Sequence, residues 1–337
     1  MNVTIKDVAK AAGVSVATVS RVLNNSSAVL PTTAENVEKV IKDLDYSPNF
    51  LGRNLRKCEA KNILVIVPST DQNVYSQIIK RIQDAASPEY DVLISTSYSY
   101  LNTEMRLLNM LFNRTVDAAV LMGTQLDAEA LNELNSRYSI ALCCERVEQA
   151  NVLTVTCDNE KGAYDAVSFF AKKGFDRIGM VTTSNRVISS VDREKGYMRA
   201  LSDNGLSYDE KLIYHCSYEY TDGFAALDYF WDMKNPPRAV FCISDLLAIG
   251  MTKRAAERGI EIGKDLQICG FDNISLSSMY IPELTTVAQP CYEMGSLVVK
   301  KLLEKMTTGK ENNETILLPH RLIYRSSAPS DDGLTDN

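Results

Sequence analysis

The first 25 residues place apolar positions at helical spacing. Ile5, Val8 and Ala9 fall on one face of a predicted helix, with Thr4 and Asp7 at the spacing of an N-cap and its third-position acid. Gly13 stops this helix, because glycine enters the left-handed conformation at little steric cost. Ser15 can cap a second helix, whose apolar stripe is Val16, Val19, Val22 and Leu23. Two short capped helices around a glycine turn make a helix-turn-helix, although any small helical hairpin has the same spacing. The stripe leaves Ala17, Thr18, Ser20, Arg21 and Asn24 pointing outward. Short polar groups and one guanidinium suit a face pressed into a DNA major groove. A third helix is predicted over 33–44, with Val37, Val40, Ile41 and Leu44 apolar and Pro31 helping to start it. It closes a small three-helix core.

Residues 46–56 read as a linker with one or two helical turns, after Pro48. Beyond residue 62 apolar runs alternate with helical patterns. Runs at 63–67, 92–95, 118–122 and 140–144 are interleaved with helices near 75–86, 104–112 and 128–134. Runs at 178–181, 212–215, 239–243 and 266–270 are interleaved with helices near 191–204, 224–231 and 246–258. Strands repeatedly followed by helices predict an α/β fold of parallel sheets covered on both faces. The span is too long for one modest sheet, and a break at 151–157 predicts two lobes. A helix near 294–305 and strands at 315–318 and 322–324 come last, before a polar tail, 326–337, with one leucine.

At 337 residues, with 45% hydrophobic and 23% charged positions, the chain has the size and composition of two or three globular domains. No run of 18 apolar residues occurs and the N-terminus is polar, so neither a membrane span nor a signal peptide is expected, and the location expected is the cytoplasm. The net charge of −7 is unevenly spread: residues 1–61 carry +3 and the remainder −10. A basic head on an acidic body fits DNA contact by the head alone. The eight cysteines lack C-x-x-C spacing and are expected to be free thiols, mostly buried; Cys58, in the polar linker, is expected to be exposed.

Enzyme motifs are missing: no phosphate-binding G-x-x-x-x-G-K-[ST], no G-x-G-x-x-G after a strand, no H-E-x-x-H and no G-x-S-x-G. The two histidines, His215 and His320, end or join strands. No catalytic residue, metal or cofactor is therefore expected. Ligands of doubly wound sheets bind at the carboxyl ends of strands. Among the polar residues just past the apolar runs, the ligand candidates are Asn73, Tyr75, Thr124 and Glu145 in the first lobe, and Arg193, Tyr218, Asp245 and Asp272 in the second. Carboxylates accept pairs of hydroxyl protons, Arg donates to oxygens and rings stack, which suits a polyhydroxyl or heterocyclic ligand. Each residue taken alone fits a capping or loop role equally well.

The segment 4–24 matches the pattern T-I-x-D-V-A-x-x-A-G-V-S-x-x-T-V-S-R-x-L-N at every fixed position. It closely resembles the N-terminus of the lactose/galactose repressor family, and the resemblance runs to about Tyr324. It implies a helix-turn-helix domain at 1–47, a hinge helix and linker at 48–61 and a two-lobed effector and dimerisation domain at 62–325. That domain would resemble periplasmic binding proteins, with lobe one at 62–157 and 292–325, lobe two at 160–288 and three crossovers. By family position Val16, Ala17 and Arg21 read bases, and the hinge pattern Y-x-P-N-x-x-A-R-x-L brings in Tyr46, Asn49, Arg53 and a minor-groove wedge, Leu55. Gly52 stands where the family has Ala, at a cost of about 1 kcal/mol in a helix, so a hinge that orders less readily is expected. Ala34 replaces an Arg of the third helix, which weakens the phosphate grip.

For the effector, R-x-x-G-Y is matched at 193–197, G-F-D-[DN] at 270–273, and the crossover motifs at Asp158-Asn159 and Gln289-Pro290. The resemblance adds Asp158 to the candidates and implies that Arg193 and Asp272 touch the effector. The implied function is transcriptional regulation of a metabolic operon, as a repressor. The implied partners are palindromic operator DNA, a second copy of the chain and a small-molecule effector of the sugar, sugar phosphate or nucleoside class. No membrane partner is implied. One branch, the catabolite control proteins, also answers to a phosphorylated carrier protein; residues 289–295 resemble its docking region, and Glu293 and Lys300 keep the charges, but Glu304 stands where a basic residue is expected. A cytoplasmic solute-binding protein and an enzyme on a two-lobed scaffold are the rival readings.

Overall fold

The computed structural model describes residues 3–23, 29–44, 46, 59–70, 73–185 and 187–330. The chain divides into two compact units, 1–60 and 61–337. The first unit holds three helices, α1 (Ile5–Ala12), α2 (Val16–Leu23) and α3 (Pro31–Asp43). At the start of α1 the Thr4 N–H donates to Asp7 Oδ2 at 2.9 Å, and its hydroxyl donates to the same atom at 2.6 Å. Gly13 ends the helix in the left-handed conformation, φ 68°. Ser15 Oγ accepts from the Thr18 N–H at 3.1 Å and so caps α2. Val8, Val19 and Val37 are fully buried between the three helices, and Asn36 Nδ2 ties α3 to the Ala12 carbonyl at 3.0 Å. Asn24, Asn49, Gly52, Arg53, Leu55 and Cys58 lie outside the described residues.

The second unit contains, in chain order, β1 (Asn62–Val67), α4 (Asn73–Ala86), β2 (Asp91–Thr96), α5 (Leu101–Phe112), β3 (Ala118–Leu121), α6 (Ala128–Arg137), β4 (Ser139–Cys143) and β5 (Thr154–Cys157). It continues with α7 (Asn159–Lys172), β6 (Ile178–Thr183), α8 (Ile188–Asp203), β7 (Ile213–Cys216), α9 (Asp222–Trp231), β8 (Ala239–Cys242), α10 (Asp245–Glu257), β9 (Gln267–Asp272), α11 (Leu276–Met279) and β10 (Thr285–Ala288). It closes with α12 (Cys291–Thr308), β11 (Thr315–Leu318) and β12 (Arg321–Ile323). Two six-stranded sheets result, ordered β11-β5-β4-β3-β1-β2 and β12-β10-β9-β8-β6-β7. Every pairing is parallel except β10 with β12. The central strands read as continuous apolar runs because helices cover both faces; Ile63 to Val67 and Ala239 to Cys242 are all buried.

Both sheets start with the same doubly wound order, so each has a switch point between its first and third strands, β1/β3 and β6/β8. The chain passes between the sheets three times: after β5, after β10 and between β11 and β12. The last passage corrects the expected lobe boundary. Residues 292–325 do not all return to lobe one, because β12 pairs with β10 in the second sheet. Nor is 326–330 part of a free polar tail. Ser327 and Ala328 are fully buried, and the Ser327 hydroxyl donates to the Ile268 carbonyl at 2.7 Å. Helix α7 and strand β10 were not foreseen.

Candidate functional site

In the first unit, α2 presents Val16, Ala17 and Arg21 as exposed side chains, with Val16 42% accessible. Thr18 and Ser20 are partly covered, and Thr18 Oγ1 lies 2.9 Å from Ser15 Oγ. Ser15 and Thr4 thus shape the helix ends, and Arg21 is the long cationic group on the outward face. Tyr46 is partly buried against the three-helix core, its N–H donating to the Ile41 carbonyl at 2.9 Å.

Between the two sheets of the second unit lies a cleft of about 1090 Å³. Tyr75, Thr124, Glu145, Arg193, Tyr218 and Asp272 all line it. Its walls come from the strand ends of both lobes, as the switch-point rule requires. Helix α8 aims Arg193 into the cleft. The guanidinium is buried: Nε donates to Asn159 Oδ1 at 2.9 Å, Nη1 donates to the Ile243 carbonyl, and Nη2 stands 3.8 Å from Asp272 Oδ1. It also lies 3.7 Å from the centre of the Phe271 ring. Three positions later Gly196 lets α8 cross the backbone of α7, since a Cβ there would stand 2.2 Å from the Glu160 carbonyl oxygen. Tyr197 is buried beside it, its hydroxyl donating to the Ile178 carbonyl at 2.8 Å. The R-x-x-G-Y motif thus supplies one cleft-facing group and two groups that fix its helix.

Asp272 ends β9 with φ 114°, a strained conformation for a residue with a Cβ, and Asn273 follows at 54°. Gln289, at the second crossover, donates Nε2 to Asp272 Oδ1 at 2.6 Å. Burial pushes the Asp272 carboxyl up to about 6, against the pull of Arg193 and Gln289. Tyr98, Cys144 and Tyr218 also line the cleft at positive φ, at 55°, 75° and 83°. Backbone strain concentrated around a cleft is a mark of functional geometry.

Glu145 bridges the lobes. Its carboxylate accepts from the Ser189 hydroxyl and from the Ser189 N–H at 3.1 Å. The next residue, Arg146, makes a second bridge, its Nη2 and Nε donating to Asp192 at 2.9 and 3.2 Å. Thr124 donates to Glu104 Oε1, and the Gln125 N–H donates to Glu104 Oε2 at 2.9 Å. Burial raises both the Glu104 and Glu145 carboxyls, partly offset by these hydrogen bonds.

Three candidates fall elsewhere. Asp245 is fully buried and does not line the cleft; it accepts from the Ile274 N–H at 2.9 Å and from the Ser277 and Thr286 hydroxyls at 2.6 Å. Asp158 caps α7, accepting from the Lys161 N–H at 3.0 Å, and lines a smaller cavity of about 380 Å³ beside the crossover. Asn73 is exposed at the start of α4 and outside the lining. The strand-end rule missed Glu104, which comes from a helix. Its signal was available: Glu104, Leu107, Leu108 and Leu111 share one buried face of α5, so a carboxylate sits on an apolar stripe. The seven described cysteines are free, and burial pushes Cys157 up to about 12 and Cys216 to about 11, which makes both poor nucleophiles. Among the described residues no helix is long and apolar enough to cross a membrane.

Comparison with known proteins places both units. Residues 4–49 match the family model "Bacterial regulatory proteins, lacI family", and residues 167–328 match "Periplasmic binding protein-like domain". Catabolite control protein A of Priestia megaterium is 34% identical over 330 residues, spanning 97% of this chain and 99% of that protein. The HTH-type transcriptional repressor CytR of Escherichia coli (strain K12) is 34% identical over 326 residues, 96% of each. Among solved structures, the Lac repressor dimer bound to operator and the anti-inducer ONPF superposes with a TM-score of 0.88 at 25% identity, covering 98% of this chain and 100% of that one.

Proposed function

The chain belongs to the LacI family of bacterial regulatory proteins and is a DNA-binding transcriptional regulator with an effector-binding domain; from that premise we propose the finer working of its two sites. A homodimer grips a near-palindromic operator through two copies of α2. Arg21 takes the O6/N7 edge of a guanine, and Val16 and Ala17 lie against thymine methyls. The small-molecule effector sits in the inter-lobe cleft, on Arg193, Asp272, Tyr75, Tyr218, Glu145 and Thr124. The observation that carries this is Arg193: a buried guanidinium at the cleft, fixed by Asn159, the Ile243 carbonyl and Asp272, is a preformed donor set for oxygen-rich ligands. Acting on DNA, the protein works in the cytoplasm.

Exposed apolar groups support the dimer. Edge strand β2 shows Ile94, and one face of α5 shows Leu101, Met105 and Phe112; in the second lobe Leu276, Met279 and Ile281 are exposed. The Lac repressor structure of similar fold is a dimer on its operator. Effector binding changes the angle between the lobes, and the dimer passes that change to the DNA-binding heads. The bridges Glu145–Ser189 and Arg146–Asp192 are the contacts such a movement remakes.

The test is operator binding by the whole protein and by Arg21→Ala, with and without a panel of sugars and nucleosides. Loss of one bidentate base contact, about 1–3 kcal/mol, predicts roughly 5- to 150-fold weaker specific binding in Arg21→Ala. It also predicts that some member of the panel shifts the wild-type affinity. Specific binding that no small molecule alters, and that a phosphorylated carrier protein tightens, would favour the second reading, in which exposed Glu293 and Lys300 on α12 belong to a docking face despite Glu304, which stands where a basic residue is expected.

A further inference from the structure

The charge of the cleft narrows the chemistry of its ligand. Among the described residues seven carboxylates and two guanidiniums line it, with no lysine or histidine. Both guanidiniums already face acids: Arg146 is bound by Asp192, and Arg193 stands beside Asp272. Glu104 and Glu145 are held differently. Each accepts two hydrogen bonds, all from neutral donors, and neither has an ion pair among the described residues. Glu104 is 1% exposed, and a buried carboxylate without a cation is costly. Each of their oxygens retains acceptor capacity after the protein's own bonds are made. Four tyrosines, Tyr75, Tyr98, Tyr100 and Tyr218, complete the walls, and the faces of such rings attract cations.

A phosphate or carboxylate entering this cleft meets unpaired negative charge on several sides. A protonated amine meets two carboxylates held only by neutral hydrogen-bond donors, of which Glu145 feels Arg193 at longer range, and aromatic faces that favour it. We infer that the effector carries a protonated amine on a polyhydroxyl body, an amino sugar or a close chemical relative, with Arg193 and Asp272 holding hydroxyls and Glu145 and Glu104 facing the amine. Sugar phosphates are excluded from the class. This rests on the effector reading above.

The test uses the full-length protein and matched sets of ligands, measured by thermal shift and by change in operator affinity. Glucose, galactose and mannose are each supplied as the free sugar, the 2-amino sugar, the 2-acetamido sugar and the 6-phosphate. At least one amine is expected to bind tenfold or more tightly than its acetylated and phosphorylated partners. That preference is expected to fall tenfold in Glu145→Gln, and also in Glu104→Gln if that variant folds. A neutral or phosphorylated member that binds best overturns the inference and leaves the effector reading standing, and so does an amine preference that survives Glu145→Gln. If no member binds and none alters operator affinity, the inference fails, and the effector reading is then decided by the wider panel of sugars and nucleosides.

Discussion

Asp245 and Asp272 follow neighbouring strands, β8 and β9, and serve different ends. Asp272 faces the cleft with Arg193 and Gln289. Asp245 has turned inward and gathers the Ile274 N–H and two hydroxyls from α11 and β10. The strand-end pattern could not separate them, because both are polar residues at the end of an apolar run; only the family resemblance singled out Asp272. What separates them is the backbone: positive φ at Asp272 swings its side chain to the rim, while Asp245 lies in the first turn of α10. Asp245 thus belongs to the fold. Replacing it by Ala strands three buried donors, each worth about 1–3 kcal/mol, so Asp245→Ala is expected to lower stability by about 3 kcal/mol or more in urea denaturation. A change within about 0.5 kcal/mol, the size of an ordinary surface substitution, would show that these three donors find other partners and that Asp245 does not support the fold.

Elements were legible where periodicity was strong. Strands β1, β3, β4, β6, β8 and β9 are short apolar runs buried on both faces, and the helices between them carry clear stripes. Helix α7 was missed because its first turn, Asn159-Glu160-Lys161, is polar and Gly162 follows. Strand β10 was missed because two of its four residues are threonines, which read as loop although both are fully buried. Half of the cleft was legible for a related reason: strand ends can be found from the pattern, whereas Glu104 enters from a helix. The crossing of α7 and α8 joins fold and site, since α7 holds Asn159 and α8 holds its partner Arg193. At Gly196 a methyl group would meet the backbone of α7, the Glu160 carbonyl at 2.2 Å and the Tyr164 nitrogen at 2.9 Å. Backbone cannot swing aside as a side chain can, so Gly196→Ala must part the helices. It is expected to cost about 1–3 kcal/mol, which lowers Tm by roughly 2–4 °C for each kcal/mol in a unit of this size. It should also blunt the ligand response of protein that remains folded. An unchanged Tm together with a normal ligand response would show that the crossing has room to spare.

At the scale of the whole molecule, the uneven charge sets how the protein answers to pH. The head carries +3 and the rest −10, so the acidic body holds the groups whose titration matters for stability. Burial, with Asp272 close by, pushes Asp245 up to about 7, and burial pushes Asp272 up to about 6. A carboxyl whose folded value lies above its unfolded value binds its proton more tightly in the folded state. The stability it lends is therefore present at low pH and is lost as pH rises through the folded value. For these two groups the window runs from the unfolded value of 3.8 to about 7. Tm is accordingly expected to fall between about pH 4 and pH 7, by a smaller amount in Asp245→Asn if that variant folds. Repulsion among exposed acids acts in the same direction but is screened by salt, whereas a buried pair is screened much less. A fall that persists in about 0.5 M salt, where exposed charges are largely screened, belongs to the buried carboxyls. A fall that salt abolishes would assign the pH response to the surface and leave Asp245 and Asp272 ionising freely. A protonated amine bound beside Glu145 and Glu104, whose carboxyls burial raises, favours their charged forms. The loss of Tm from about pH 4 to pH 7 should therefore shrink in the presence of the amine that binds best, and should not shrink with a neutral ligand of equal affinity.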